Sequence, residues 1–471
     1  MSQLPNRRRP SIPWHFLYNI AWKHFGASPG SSDPEKDIKD LTDLARDMSA
    51  IFDFETYSTF DGMILTSSNF YRSILDRILY DELFGFQQWQ PKVASQVFSS
   101  WLKNLEKAGC VFPHASREEW ETLGLLLIKN SQISALTITH PSEYSTYALS
   151  TARVVELFEL LAIPLTKLNK GYALPIDTPH RNSPYFPLFK ISGELYALPP
   201  RGMAARALFE RIYKLLRDAE VDDLENRMGK ALEHMAAEAV QLTGHPPAYF
   251  ARAYRPAGQS HRRAPLEIDL ADESDEHIFF VECKKKQLTN DARAGNVLSA
   301  AVDLASAFLA PLIQINRHES QLRAGGIRFL NGQNLALNGR RIQRLAITMT
   351  DHGSMQDRMF IRAFLVGLWG ATFVTVNGKH QADVDRVNKK LRSVVDGITF
   401  LAEQDGGKFE NFLKRYIGAS WWLSIDQFTF LCERTRDLRI ASAPVGSLIF
   451  GTGDLMSEIA HCARMGLLKP A

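Results

Sequence analysis

A carboxylate on one strand and a carboxylate followed two residues later by a lysine on the next can together hydrolyse phosphodiesters with the help of a hard cation. The chain carries this set as Glu267-Ile268-Asp269 and Val281-Glu282-Cys283-Lys284. In a strand the side chains alternate, so Glu267 shares a face with Asp269, and Glu282 shares one with Lys284. Val281 and Cys283 are left for the opposite, packed face. Carboxylates converging from adjacent strands suit Mg²⁺ or Mn²⁺, whose remaining octahedral positions go to water and a substrate phosphate. Such an ion lowers the pKa of a bound water and neutralises charge in the transition state. Lys284 would orient the water, act as a base if its own pKa is lowered, or stabilise developing negative charge.

The same residue types also suit a solvated strand face with cross-strand ion pairs. Against that, Glu282 continues an otherwise apolar run, Ile278 to Val281, where an unpaired charge is costly. For Lys284 the competing reading is an exposed strand end in Lys284-Lys285-Lys286. Cys283 reads as a small buried hydrophobe, and Gln287 as a polar strand end.

The elements that must position this set can be traced in the sequence. Leu224, Met228, Ala231, Leu232, Met235 and Ala239 make one apolar helical stripe within a two-helix stretch, Arg206 to Leu242. Alternating Leu266, Ile268 and Leu270, an acidic turn, and Ile278 to Lys284 predict a hairpin-like strand pair. A helix over about 294–308, a strand over 344–350, a helix over 356–369 and a strand over 372–376 complete a mixed α/β order. Upstream, residues 13–168 read as mostly helical, followed by turn-rich sequence and short strand-like pieces near Phe189 and Leu195. Downstream of Gly378 the pattern is helical again, at 383–403, 409–416 and 424–437. The expected organisation is therefore an α-rich N-terminal domain over 1–200, a catalytic α/β domain over 201–380 and a C-terminal helical region over 381–471.

At this point the sequence resembles the PD-(D/E)XK nuclease superfamily, whose pattern is an acid on one strand and a Glu/Asp-x-Lys triplet on the next. The proline that often precedes the first acid is missing, although Pro265 lies slightly upstream. A Gly-x-x-x-Glu arrangement on the helix before the strands is present as Gly229 to Glu233. The resemblance covers about 205–380 and implies a restriction-endonuclease-like fold, a mixed sheet flanked by helices. It further implies Asp269 and Glu282 as metal ligands with the Cys283 backbone carbonyl as a third, Lys284 as the catalytic lysine and Glu233 as an accessory carboxylate. A solvated helix position is the competing reading for Glu233.

Cations gather around this centre: Arg252, Arg255, His261, Arg262 and Arg263 before it, Lys285 and Lys286 within it, Arg340, Arg341 and Arg344 after it. They suit a phosphate track or ordinary solvated loops. Formal net charge is only +3, which excludes histone-like character and makes any nucleic-acid site regional. The four cysteines are dispersed, without a CxxC pair, so neither a zinc site nor a disulfide framework is expected. The apolar stretches 297–315 and 359–376 contain Asp303 and Arg362 and read as buried helices rather than membrane spans. The N-terminal stretch, Trp14 to Phe25, has no clear signal-peptide core, and a cytoplasmic location is expected.

The resulting expectation is a DNA endonuclease requiring Mg²⁺ or Mn²⁺, by analogy in restriction or anti-phage defence with a partner protein, and a homodimer if both strands are cut. The alternatives are a nucleic-acid-binding or scaffolding protein with an inactive nuclease fold, and an RNA nuclease.

Overall fold

The computed structural model describes residues 10–25, 33–52, 70–256, 264–375, 378–435 and 455–468. Helices α1 (Trp14–His24), α2 (Pro34–Phe52), α3 (Phe70–Phe84), α4 (Ala94–Lys107), α5 (Arg117–Asn130) and α6 (Thr151–Leu161) dominate the N-terminal part. The start of α5 is set by a reciprocal cap. Glu119 N–H donates to Ser116 Oγ at 3.2 Å, and Ser116 N–H donates to Glu119 Oε2 at 2.8 Å. A small sheet follows in the order β1 (Thr137–Thr139), β4 (Leu195–Leu198), β3 (Leu188–Ser192), β2 (Ala162–Pro164). The strand-like pieces expected near Phe189 and Leu195 are thus paired strands.

Helices α7 (Arg201–Asp218) and α8 (Leu224–Gln241) come next, and every residue of the predicted apolar stripe on α8 is buried. The central sheet contains β5 (Tyr249–Tyr254), β6 (Leu266–Glu273), β7 (His277–Lys284), β10 (Arg341–Thr348) and β11 (Ser420–Ser424), in the order β11-β10-β7-β6-β5. Strands β5, β6 and β7 are antiparallel neighbours, whereas β7, β10 and β11 run parallel. Parallel neighbours need long crossovers. One is made by α9 (Asn290–Arg293), α10 (Val297–Leu304) and α11 (Ala310–Arg323). Within it lies a short two-stranded ribbon, β8 (Ile327–Arg328) with β9 (Asn334–Leu335). The other is made by α12 (Arg358–Gly367), α13 (Gln381–Asp405) and α14 (Phe409–Gly418). Helices α15 (Ile425–Thr435) and α16 (Leu455–Arg464) complete the described chain.

Both faces of the sheet are covered. Leu270, Phe279, Val281, Cys283, Leu345, Ile347, Trp421 and Leu423 join α4, α7, α8 and α15 in one core. On the other face, Ile278 and Phe280 pack with Ile315 and Leu322 of α11, and Ala346 and Trp422 pack with α10, α12 and α13. The architecture is mixed α/β, a mixed sheet between helical layers.

Two sequence expectations change. No strand forms over 372–375, and Val376 lies outside the described residues. Val374 is 77% exposed, and the backbone of Phe373 is bonded on both sides by the Asn388 amide of α13, each at 2.8 Å. The fifth strand is instead Ser420–Ser424, buried at every position, as a parallel strand covered on both faces must be.

The helix expected over 294–308 also extends further, as a continuous run Val297–Arg323 containing a π turn at Ala305–Leu309. Pro311 has no N–H to donate to Ala307, and the Ala310 N–H bonds to the Ala305 carbonyl instead. This is the one helix among the described residues long and apolar enough to cross a membrane. Of its most apolar window, 61% is buried inside the protein.

Candidate metal-dependent active site

The candidate site forms where β6 and β7 part. Their ladder runs from Glu273–Ile278 to Leu270–Val281 and includes no pair beyond it. Strict alternation would place Ile268 and Leu270 on one face, yet Leu270 packs in the α8-side core and Ile268 in the α11-side core. The alternation therefore breaks at Asp269. Across β5 the residue facing Asp269 is Ala251, between the pairs Phe250–Leu270 and Arg252–Ile268. Ala251 has a φ of 48°, a left-handed conformation uncommon for a residue with a Cβ. At this kink the Asp269 carboxylate takes over from the backbone ladder: Oδ2 accepts the Cys283 N–H at 2.9 Å.

Glu282 is wholly buried in β7, beside Ala346 of β10 in the parallel register. Its Oε1 lies 3.2 Å from Nε2 of His318 on α11, and His318 Nδ1 lies 2.8 Å from the Tyr254 hydroxyl at the end of β5. Its Oε2 has no hydrogen-bond partner, and the nearest cation, Lys284 Nζ, stands 3.8 Å away. A buried, ionised oxygen without a partner is costly.

The neighbouring acids feel this crowding. Burial and then the Glu282 charge push Asp269 up to about 7, with Lys284 pulling the other way. Glu282 is pushed up to about 7, mainly by burial. Glu233 on α8 is also raised to about 7, by burial and then by Asp269 and Glu267. Carboxyls that raise one another in this way have the chemistry to which a divalent cation is suited. As placed, the described residues include no ready-made group of three or more His, Cys, Asp or Glu donors around one point. Two carboxylates beside each other are the donor type that suits a hard ion whose remaining positions are filled by water.

The other sequence-predicted residues separate into distinct environments. The Cys283 thiol points into the α8-side core and burial drives its pKa well up, which removes it as a nucleophile. Lys285 pairs with Glu225 at 2.6 Å. Lys286 pairs at 2.7 Å with Asp303, which also accepts from the Thr289 N–H and hydroxyl. Both lysines brace the loop after β7. Arg340 is tied to Glu273 at 2.8 Å. Arg344 is buried against Glu319, its Nε 2.9 Å from Oε2, and lies over the Tyr416 ring. Gln287 accepts from Arg206 at 3.3 Å. Trp421 and Trp422 are core residues, and His352 is buried against Trp422. His261, Arg262 and Arg263 lie outside the described residues.

Sequence reasoning missed His318, Tyr254 and Lys390. Lys390, half-buried on α13, donates to Ser306 Oγ at 3.1 Å rather than to a carboxylate. Burial lowers its pKa first, then the charges of Arg386, Lys284 and Lys286, so the start of α13 adds to the positive charge around Lys284. The available signal was the Ile315, His318, Leu322 spacing, one helical face of α11 interrupted by a histidine.

No family model, no curated protein and no solved structure matches this chain.

Proposed function

We propose that the chain is a metal-dependent endonuclease of the PD-(D/E)XK class, hydrolysing DNA phosphodiester bonds, and that its central sheet is a restriction-endonuclease-like core. The observation that carries this reading is the unpartnered, buried Oε2 of Glu282, 3.8 Å from Lys284 and beside Asp269 at the mouth of two diverging strands. The order of elements supports it, with the Glu233 helix first, then the antiparallel β5–β6–β7, then a helical crossover to the parallel β10.

In this reading Asp269 and Glu282, with the Cys283 carbonyl, hold Mg²⁺ or Mn²⁺, which when bound acidifies a water and screens phosphate charge. Glu233 accepts a proton or orients a water at the edge of the site. Lys284 places its ammonium where negative charge accumulates on the phosphate. The charges of Lys284 and Lys390 favour a polyanionic substrate.

The test is cleavage of supercoiled and linear DNA with Mg²⁺ or Mn²⁺ by the wild type, Asp269→Asn and Lys284→Ala. Each variant should retain its fold and lose at least about a hundredfold in rate. Equal cleavage by the variants would move the site elsewhere. Cleavage of RNA alone would change the substrate class, and binding without cleavage of either would leave a nucleic-acid-binding protein.

A further inference from the structure

The contacts behind Glu282 go further than the proposed reaction requires. Tyr254 closes β5, His318 lies on α11, and both are buried. They form one line, Tyr254 hydroxyl to His318 Nδ1 at 2.8 Å and His318 Nε2 to Glu282 Oε1 at 3.2 Å.

The direction of the hydrogen bonds along this line follows from which groups carry protons. A neutral imidazole has a single N–H, and a phenol ordinarily keeps its proton at neutral pH. If the phenol donates to Nδ1, the ring proton is on Nε2 and points at Glu282 Oε1. With Glu282 ionised, as it must be to ligate a cation, the reverse tautomer would set the Nε2 lone pair against a carboxylate oxygen at the same 3.2 Å, which is repulsive. The consistent chain is Tyr254 O–H to Nδ1, then Nε2–H to Oε1.

We propose that Tyr254 and His318 are positioning residues that occupy Oε1 of Glu282 and lock its rotamer, so that Oε2 alone is presented toward Asp269 and Lys284 as a donor to a divalent cation. This rests on the reading of Asp269 and Glu282 as cation ligands. Groups behind a ligand commonly set its orientation and basicity, and removing them typically weakens metal binding by about 10–100-fold.

The experiment is Mn²⁺ binding to the full chain, followed by loss of the free-ion electron paramagnetic resonance signal, with circular dichroism as a check on folding. His318→Leu should weaken binding by about tenfold or more. His318→Gln places an amide N–H close to the position of Nε2 and should recover to within about threefold of wild type, since the bond to Oε1 is remade. Tyr254→Phe, which deletes only a hydroxyl, should weaken binding by about threefold or more, because the tautomer is no longer imposed. In cleavage assays the metal concentration for half-maximal rate should rise, while the rate at saturating metal changes less. If His318→Leu fails to fold, Tyr254→Phe and His318→Gln carry the comparison. Wild-type affinity in folded His318→Leu or in Tyr254→Phe overturns the positioning role and leaves the nuclease reading standing. Absence of Mn²⁺ binding by the wild type overturns both.

Discussion

At the scale of single residues, burial raises three neighbouring carboxyls, and the proposed cation would favour their ionised forms. Glu282, wholly buried, is held up at about 7 chiefly by burial, whereas in an unfolded chain it would ionise near the usual glutamate value. Between those limits the folded state binds the extra proton, so the stability Glu282 contributes falls as pH rises from about 4 to about 7. The buried His15, His318 and His352 are shifted downward. The unfolded state then binds more protons, and their contribution rises as pH climbs through the histidine range. The carboxylate effect is therefore isolated by comparing wild type with Glu282→Gln. In urea denaturation without metal, their stability difference should move against the wild type by on the order of 3 kcal/mol between pH 5 and 8. Millimolar Mg²⁺ should reverse the trend above pH 7 in the wild type only. A pH-independent difference would mean that Glu282 is not strained. The acids and Lys284 were legible as residue types at strand spacing. His318 was not, because it meets Glu282 across a sheet-to-helix contact 36 residues away.

At the scale of elements, the geometry of the candidate site depends on departures from regularity. The β6–β7 pair was legible from alternation, but alternation assigned Ile268 and Leu270 to one face, and they enter different cores. The kink at Asp269 is matched by the left-handed Ala251 on β5. Glycine adopts that conformation without the Cβ conflict. Ala251→Gly should therefore raise stability by about 1 kcal/mol in urea denaturation, with cleavage unchanged. Destabilisation instead would show that Ala251 is not strained in solution. The π turn in Val297–Arg323 has a similar consequence. One extra residue rotates the following face by roughly 100°, which sets the phase of Ile315, His318 and Leu322 against the sheet. Neither irregularity is visible in a hydrophobic period.

At the scale of the whole molecule, the sequence boundaries near 200 and 380 do not coincide with gaps in packing. One core includes Trp89, Trp101 and Trp120, then Phe209 and Met228, then Leu270 and Val281, then Leu423 and Phe428. Residues 420–424 supply a strand of the sheet that carries the candidate site. A fragment spanning 201–380 should accordingly fail to fold: circular dichroism and proteolysis should show an unfolded chain, while the full-length protein resists digestion. A compact, protease-resistant fragment would restore an autonomous catalytic domain. The N-terminal part is also clamped by charge. Glu82 of α3 is buried with Arg181 at 3.0 Å and Arg293 at 3.8 Å, and Arg181 reaches His15 at 2.8 Å. Glu82→Ala would strand two buried guanidinium groups and should cost about 3–5 kcal/mol. A melting temperature unchanged from wild type would show that the clamp is dispensable.

By itself the sequence determined the helix pair α7–α8, the strand pair β6–β7 and the later strand β10, because apolar period and turn residues act locally, but it did not indicate β5. It also determined which residues have the chemistry for a cation site, because carboxylates and a lysine at period two are a property of the strand. Only the tertiary structure decided that Ser420–Ser424, rather than 372–376, closes the sheet, because β10 selects a partner that can be buried on both faces. Only it decided that Lys285, Lys286, Arg340 and Arg344 are held by acids. It also decided that Tyr254 and His318 stand behind Glu282, since these contacts join segments far apart in the chain whose meeting no local pattern specifies.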